Sequence, residues 1–349
     1  MTAVMEGLVA HTVETPRLAA HVIEREAAAA RRTLVLVHGN VSSSLFWQPT
    51  MLALPSDVRA LAIDLRGFGG SATLPVDATR GVRDFSDDVV SVLETLGTGP
   101  VDLVGWSMGG GVVMQLLIDR PDLVRSLTLV APVSPYGFGG TAAGGRLLRD
   151  DWAGTGAGGA NPAFVAALAA GDTSADEPVS PRSVFRTAYV AAGSEPQVLE
   201  DLWVESMLST ATGVDNYPGD AVEAEGWPGF GPGERGVLNS MAPRWFDTTG
   251  IVAVEQKVPV LWIRGDQDAI VSDTSFFDLN HLGALGAIPG WPGAEEAPAQ
   301  PMIAQTREVL DAYADAGGEY REVVFEGCGH SPHLERPGAF LDALVEHLG

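Results

Sequence analysis

A nucleophile, an orienting acid and a proton acceptor can be picked out of this sequence by residue type and setting. Ser107 lies in Gly105-Trp106-Ser107-Met108-Gly109, a G-x-S-x-G pattern between an apolar run and a helical stretch. A serine on so sharp a turn projects its hydroxyl clear of the chain. Glycines two before and two after let strand and helix close up, and Gly110 and Gly111 extend the small-residue run. An unaided serine hydroxyl is a weak nucleophile. It needs a neighbouring base, and the base needs an acid to orient it.

The base is sought among seven histidines. His330 sits in Gly327-Cys328-Gly329-His330-Ser331-Pro332-His333, where the glycines permit a turn that presents the ring. His333 is the competitor, suited to lining a pocket or capping the following helix. His11, His21, His281 and His347 lack such a setting and read as surface or structural residues. For the acid, Arg264-Gly265-Asp266-Gln267-Asp268 directly follows an apolar run. Asp268 is placed to reach over towards a histidine, whereas Asp266 suits the turn itself. Asp273 and Asp278 read as helix-start or solvated residues. His330 and His333 make a metal-ligand pair with no third ligand at useful spacing, so neither a metal nor another cofactor is expected.

Acyl transfer also needs N–H donors aimed where negative charge develops. Met108, directly after the serine, is expected to supply one. The loop His38-Gly39-Asn40-Val41 is expected to supply the other through Asn40, with His38 bracing the loop. Ser42, Ser43, Ser44, Phe46 and Trp47 follow, and either line a pocket or start a helix. Candidates for contact with a substrate are Val41, Trp47, Trp106, Trp227 and His333.

The elements that must position these groups are legible from periodicity. Leu8 to Arg25 alternates weakly, as in a hairpin. Thr33–Val37, Ala60–Ile63, Val101–Val104, Leu127–Val130 and Val258–Ile263 are short apolar runs, the mark of strands buried on both faces of a parallel sheet. Helical spacing fills Asp84 to Leu96 and Val112 to Arg120 between them. A last strand is expected over Tyr320–Phe325 and a last helix over Gly338–Leu348. Strands alternating with helices predict an α/β fold with a mainly parallel sheet.

Between Val133 and Glu255 the texture changes to glycine- and proline-rich stretches with helical fragments near Asn161–Ala170, Pro181–Ala192 and Pro196–Leu208. We read 133–255 as an inserted, mostly helical cap, and 1–132 with 256–349 as the core domain. Its aromatic residues, among them Trp152, Trp203, Trp227 and Trp245, suit either an enclosed apolar pocket or the cap's own core.

The chain has 349 residues, 45 acidic against 21 basic, and a single lysine, Lys257. A net charge of −24 repels phosphate backbones and anionic membranes, so no nucleic-acid partner is expected. No apolar run is long enough to span a bilayer, and Met1 to Ala10 lacks the basic-then-apolar order of a secretory leader. The single cysteine, Cys328, suits a reducing compartment. A cytoplasmic protein with a small-molecule substrate is the expectation, and homodimer formation stays open.

Taken together, H-G-N at 38–40, D-L-R-G-F-G-G-S at 64–71, G-W-S-M-G at 105–109, G-D-Q-D at 265–268 and G-H-S-P-H-L-E-R-P at 329–337 resemble the α/β-hydrolase superfamily. The resemblance covers Leu34–Pro132 and Val258–Leu348, with 133–255 in the place of that family's cap. It implies an α/β-hydrolase fold, a Ser107–Asp268–His330 triad, Asn40 and Met108 as oxyanion donors, and no cofactor. The order serine, acid, histidine is the family's own. His-Gly-Asn followed by serines is similar to haloalkane dehalogenases, but those and epoxide hydrolases carry aspartate at the elbow, which disfavours both reactions here. About sixty residues separate Asp268 from His330, longer than usual for the family. This extra segment reads as a second lid element, a dimer contact or a structured loop.

The expected function is hydrolysis of a small-molecule carboxylic ester or lactone through an acyl-enzyme. The alternatives are a carbon–carbon bond hydrolase and a proline-type aminopeptidase, for which Glu200, Asp201 and Glu205 would hold the substrate amine. A catalytically inactive small-molecule binding module is the non-enzymatic alternative.

Overall fold

β-Branched and leucine-rich runs that bury both faces form the middle of one eight-stranded sheet in the computed structural model, which describes residues 4–194 and 197–349. The strands are β1 (Val9–Glu14), β2 (Ala19–Arg25), β3 (Arg32–Val37), β4 (Val58–Ile63), β5 (Val101–Trp106), β6 (Val124–Val130), β7 (Pro259–Gly265) and β8 (Glu319–Phe325). Their order is β1-β2-β4-β3-β5-β6-β7-β8. β1–β2 and β2–β4 pair antiparallel, and every neighbouring pair from β4 to β8 is parallel. β5 is buried at all six positions, as a central parallel strand must be when helices cover both faces.

Four helices carry most of that cover: α1 (Arg83–Leu96), α2 (Met108–Asp119), α3 (Met302–Asp315) and α4 (Pro337–Leu348). α1 ends on Gly97 in the left-handed region, closing its last turn as the glycine there predicts. α2 is buried over its first ten residues, and its glycines let it lie tight against the sheet. The reversal of strand order lies between β3 and β5, so the loops after those strands face each other across the crevice where such sheets bind ligands.

The chain leaves the sheet after Val130 and returns at Pro259. Helices at Pro162–Ala170, Pro181–Val184 and Glu200–Leu208 fall where helical fragments are expected, although Pro196, the expected start of the third, lies outside the described residues. The expectation of a mostly helical cap needs correcting. Most of the insertion is turn, 3₁₀ and two-stranded β structure, because its frequent glycines and prolines interrupt any long helix. The insertion packs on the sheet side of the molecule at Phe46, whose ring lies 5.1 Å from Trp203 and 5.0 Å from Trp106. Among the described residues no helix is long and apolar enough to cross a membrane.

Candidate active site

The turn after β5 holds Ser107 at φ 57°, a left-handed conformation that L residues rarely adopt. Two glycines make it possible. A Cβ on Gly105 would lie 2.3 Å from the Gly109 carbonyl oxygen, and one on Gly109 would lie 2.5 Å from the carbonyls of Val37 and His38. As the first residue of α2, Met108 has a backbone N–H with no partner in its own helix, at the helix end that favours negative charge.

The loop after β3 presses against this turn. A Cβ on Gly39 would come within 2.8 Å of the Ser107 Cβ, so the Gly39–Asn40 backbone runs directly beside the serine. Val41 follows at φ 47°. His38 braces the loop, and its tautomer follows from its contacts. Nε2 accepts from the Leu65 N–H at 3.0 Å, so Nδ1 carries the proton and donates to the Gly39 carbonyl at 2.7 Å. Burial pushes the His38 pKa down, which keeps the ring neutral. Ser42 Oγ donates to the same carbonyl at 2.8 Å. Asp64 anchors the neighbouring loop by accepting from Ser44 N, Gly70 N and His21 Nδ1. Ser43 caps the 3₁₀ turn Ser44–Trp47, so the serine run starts a helix.

His330 and Asp268 come together from the ends of β8 and β7. His330 Nδ1 donates to Asp268 Oδ2 at 2.8 Å, and both side chains are buried. The other oxygen, Oδ1, accepts from Ile270 N at 2.7 Å and Val271 N at 2.9 Å. Asp266 accepts from Gly327 N and belongs to the turn. Asp278 caps the helix Leu279–Ala284, and Asp273 accepts from Ile303 N and Ala304 N at the start of α3. Two further side chains hold the histidine loop: Trp106, expected from sequence as a substrate contact, and Glu335, to which the sequence reading gave no role. Trp106 Nε1 donates to the His330 carbonyl at 2.8 Å. Glu335 accepts from Gly329 N at 2.9 Å and from Ala191 N of the cap at 2.8 Å, tying the two layers together. Burial raises its pKa. Its place in G-H-S-P-H-L-E-R-P was the available signal.

Ser107, His330, Asn40 and Val41 open on one cavity of about 380 Å³, within the range of small-molecule sites. The Asn40 Oδ1 is buried there with no hydrogen-bond partner among the described residues. Tyr189, also missed, reaches down from the cap to donate to the Asn40 carbonyl at 2.8 Å. Four expected contact residues are placed elsewhere, and the correction has a physical cause. Trp47, Trp106 and His333 are fully buried in an aromatic stack behind the histidine loop, with His333 4.4 Å from Trp47 and 4.8 Å from Trp106. Among the described residues neither His333 nitrogen has a hydrogen-bond partner, and burial with the neighbouring His330 pushes its pKa down to about 3. Trp227 turns outward, its indole donating to the Pro289 carbonyl. Of the cap tryptophans, Trp203 is cap core, while Trp152 and Trp245 flank Arg244.

The long segment after Asp268 forms a wall of the cavity through Ile270, Val271, Phe276, Phe277, Leu279 and Leu282. A buried amide cluster fastens it to the cap. Gln300 accepts from Gly139 N and donates to the Gly137 carbonyl and Thr141 Oγ1, and Gln305 accepts from Ser134 Oγ. The segment that sequence left open as lid element, dimer contact or structured loop is thus part of the cavity wall. Among the described residues no group of three or more His, Cys, Asp or Glu is arranged to hold a metal ion.

Residues 32–289 match the model of a family described as alpha/beta hydrolase fold. Among curated proteins, the chain is 33% identical over 97 residues to an (E)-2-((N-methylformamido)methylene)succinate hydrolase from Acinetobacter baylyi, covering 28% of this chain and 36% of that one. It is 29% identical over 104 residues to a carboxylesterase from Bacillus subtilis, covering 30% and 35%. The matched stretch thus spans about a third of these relatives. The crystal structure of the Bacillus subtilis carboxylesterase superposes with a TM-score of 0.58 and 16% identity, covering 98% of this chain and 91% of that chain. An esterase from Exiguobacterium antarcticum superposes with a TM-score of 0.60 and 16% identity, covering 97% and 99%.

Proposed function

This chain belongs to the α/β-hydrolase family, and we propose that it is a serine hydrolase cleaving an uncharged small-molecule carboxylic ester or lactone. The observation that carries this reading is one cavity onto which Ser107, His330 and Asn40 all open, with His330 held by Asp268 at 2.8 Å. In the proposed reaction His330 Nε2 takes the Ser107 proton as Oγ adds to the carbonyl carbon. Asp268 fixes the proton on Nδ1 and so keeps Nε2 free to accept. The backbone N–H groups of Met108 and Asn40 receive the developing oxyanion. Collapse of the adduct returns the proton from His330 to the leaving alcohol. Water, deprotonated by the same histidine, then releases the acid from Ser107.

The wall chemistry favours an ester over the alternatives. Among the described residues no arginine or lysine lines the cavity, which leaves a carboxylate-bearing carbon–carbon substrate without a counter-ion. The acids considered for amine recognition are absent from it too. Glu200 is held by Arg182 at 2.6 Å and Arg186 at 2.8 Å, the Asp201 side chain is 92% exposed, and Glu205 is exposed. A fluorophosphonate probe is expected to label the wild-type chain and leave Ser107→Ala unlabelled, with turnover of p-nitrophenyl butyrate by the wild type alone. Absence of both labelling and turnover in the folded wild type would make the chain a binding module.

A further inference from the structure

The cavity has an edge that its enclosed volume does not explain. Phe276 and Phe277 line it, yet as residues they are 57% and 45% exposed, among the exposed large apolar residues of the described chain. Leu285, 58% exposed, lies on the same segment, and His281 packs edge-on to Phe276 at 5.6 Å. Two adjacent aromatic rings shared between a cavity and solvent cost free energy unless something apolar covers them.

The loop that bears them is held firmly. Asp268 Oδ1 accepts from Ile270 and Val271, Ser275 Oγ donates to the Ile270 carbonyl, and Phe276 N donates to the Ala269 carbonyl. The rings are thus presented outward by a loop rooted at the candidate acid. The lining between Ser107 and this edge is apolar or uncharged except for Asp278 and His330. Both Asp278 oxygens are occupied, by Asn280 N and Gln300 N. A mainly apolar path therefore runs from the serine to the surface, and among the described residues no arginine or lysine lines it to hold an acid.

We infer that the substrate is an uncharged ester whose apolar chain is longer than the enclosed cavity and leaves it across a lip made by Phe276 and Phe277. The occupant of the exposed rings is the distal part of that chain, because the rings are continuous with the space in front of Ser107. This inference rests on the ester-hydrolase reading of Ser107. Each methylene that the lip covers strengthens transition-state binding about fourfold, the ~0.8 kcal/mol of a buried methylene expressed as a rate ratio.

The test is a p-nitrophenyl ester series from acetate to dodecanoate, measured below the concentration at which the long esters aggregate. For the wild type, kcat/KM should rise through octanoate and beyond, and a hemi-ester ending in a carboxylate should react at least tenfold more slowly than its neutral counterpart of equal length. In the double variant Phe276→Ser with Phe277→Ser, the dodecanoate-to-butyrate ratio should fall at least tenfold, and Phe276→Leu with Phe277→Leu should restore most of it. Circular dichroism and a thermal melt confirm that both variants are folded. A wild-type optimum at acetate or butyrate overturns the inference, as does a double variant that lowers all lengths equally. Loss of fluorophosphonate labelling in the wild type is a separate result and fails the ester reading itself.

Discussion

The floor and the roof of the cavity are built by different means. The floor beside Ser107, made by the loops after β3 and β5, is positioned by backbone. Ser107 and Val41 hold positive φ, and Gly39, Gly105 and Gly109 leave no room for a Cβ. The roof, made by the cap and the segment after Asp268, is positioned by side chains that reach distant backbone. Gln300 holds Gly137 and Gly139, Trp227 holds Pro289, and Glu335 holds Ala191. A floor set by backbone tolerates almost no local change. A roof set by side-chain pairs can be altered one pair at a time, and its chemistry is the part that selects a substrate.

If that contrast is right, the largest effect belongs to the floor's chemistry. Asp268→Asn keeps an oxygen for Ile270 and Val271 but no longer fixes the His330 proton. We expect kcat to fall about 10⁴-fold with KM little changed. A fall below tenfold in steady-state kinetics would break the assignment. Next, Gly105→Ala should cost about 3 kcal/mol in urea unfolding, because its Cβ meets the Gly109 carbonyl at 2.3 Å and backbone cannot yield there. An unchanged midpoint would show that the floor relaxes more freely than its packing implies.

In the roof, Gln300→Ala strands buried partners and should cost about 2 kcal/mol. KM is expected to rise several-fold while kcat holds within about threefold. A kcat loss matching that of Asp268→Asn would erase the distinction between floor and roof. The last effect, of similar size in stability but without a change in turnover, concerns His333 and pH. Its folded pKa, about 3, lies below the ordinary value of 6.5, so between these limits only the unfolded chain binds the proton. Stability therefore falls as pH drops below about 6.5, by up to about 1.4 kcal/mol per pH unit for this one group. Between pH 7 and pH 5 the wild type should lose about 2 kcal/mol more than His333→Phe. Equal losses in denaturant titrations would show that the ring is not kept neutral.

The same contrast explains what could be read from sequence. The strands from Thr33 to Phe325 were legible because both-face burial writes itself as short apolar runs. The turn at Ser107 was legible because close approach demands glycine at fixed offsets. The separation of Asp268 from Asp266 followed from how far each stands beyond β7. The roof left no such trace. Gln300 and Gly137 are 163 residues apart, and no local period announces their contact. Trp47, Trp106 and His333 stand next to loop residues of the site in sequence, yet their rings point into the core behind it. Neighbourhood along the chain did not reveal direction. The opposite held for Phe276 and Phe277, which sit in a segment without periodicity and face the cavity.

Trp106 has one more consequence. It precedes Ser107, and its indole N–H holds the carbonyl of His330, 224 positions away. A single rigid bicycle thus spans the two ends of the candidate site beneath the roof, like a rivet driven from the inner side. Loosening by heat would then have to release both partners at once. Inactivation should coincide with melting of the central strands, and the covering layer bears on this fastening through Tyr189, whose ring lies edge-on to Trp106 at 5.7 Å.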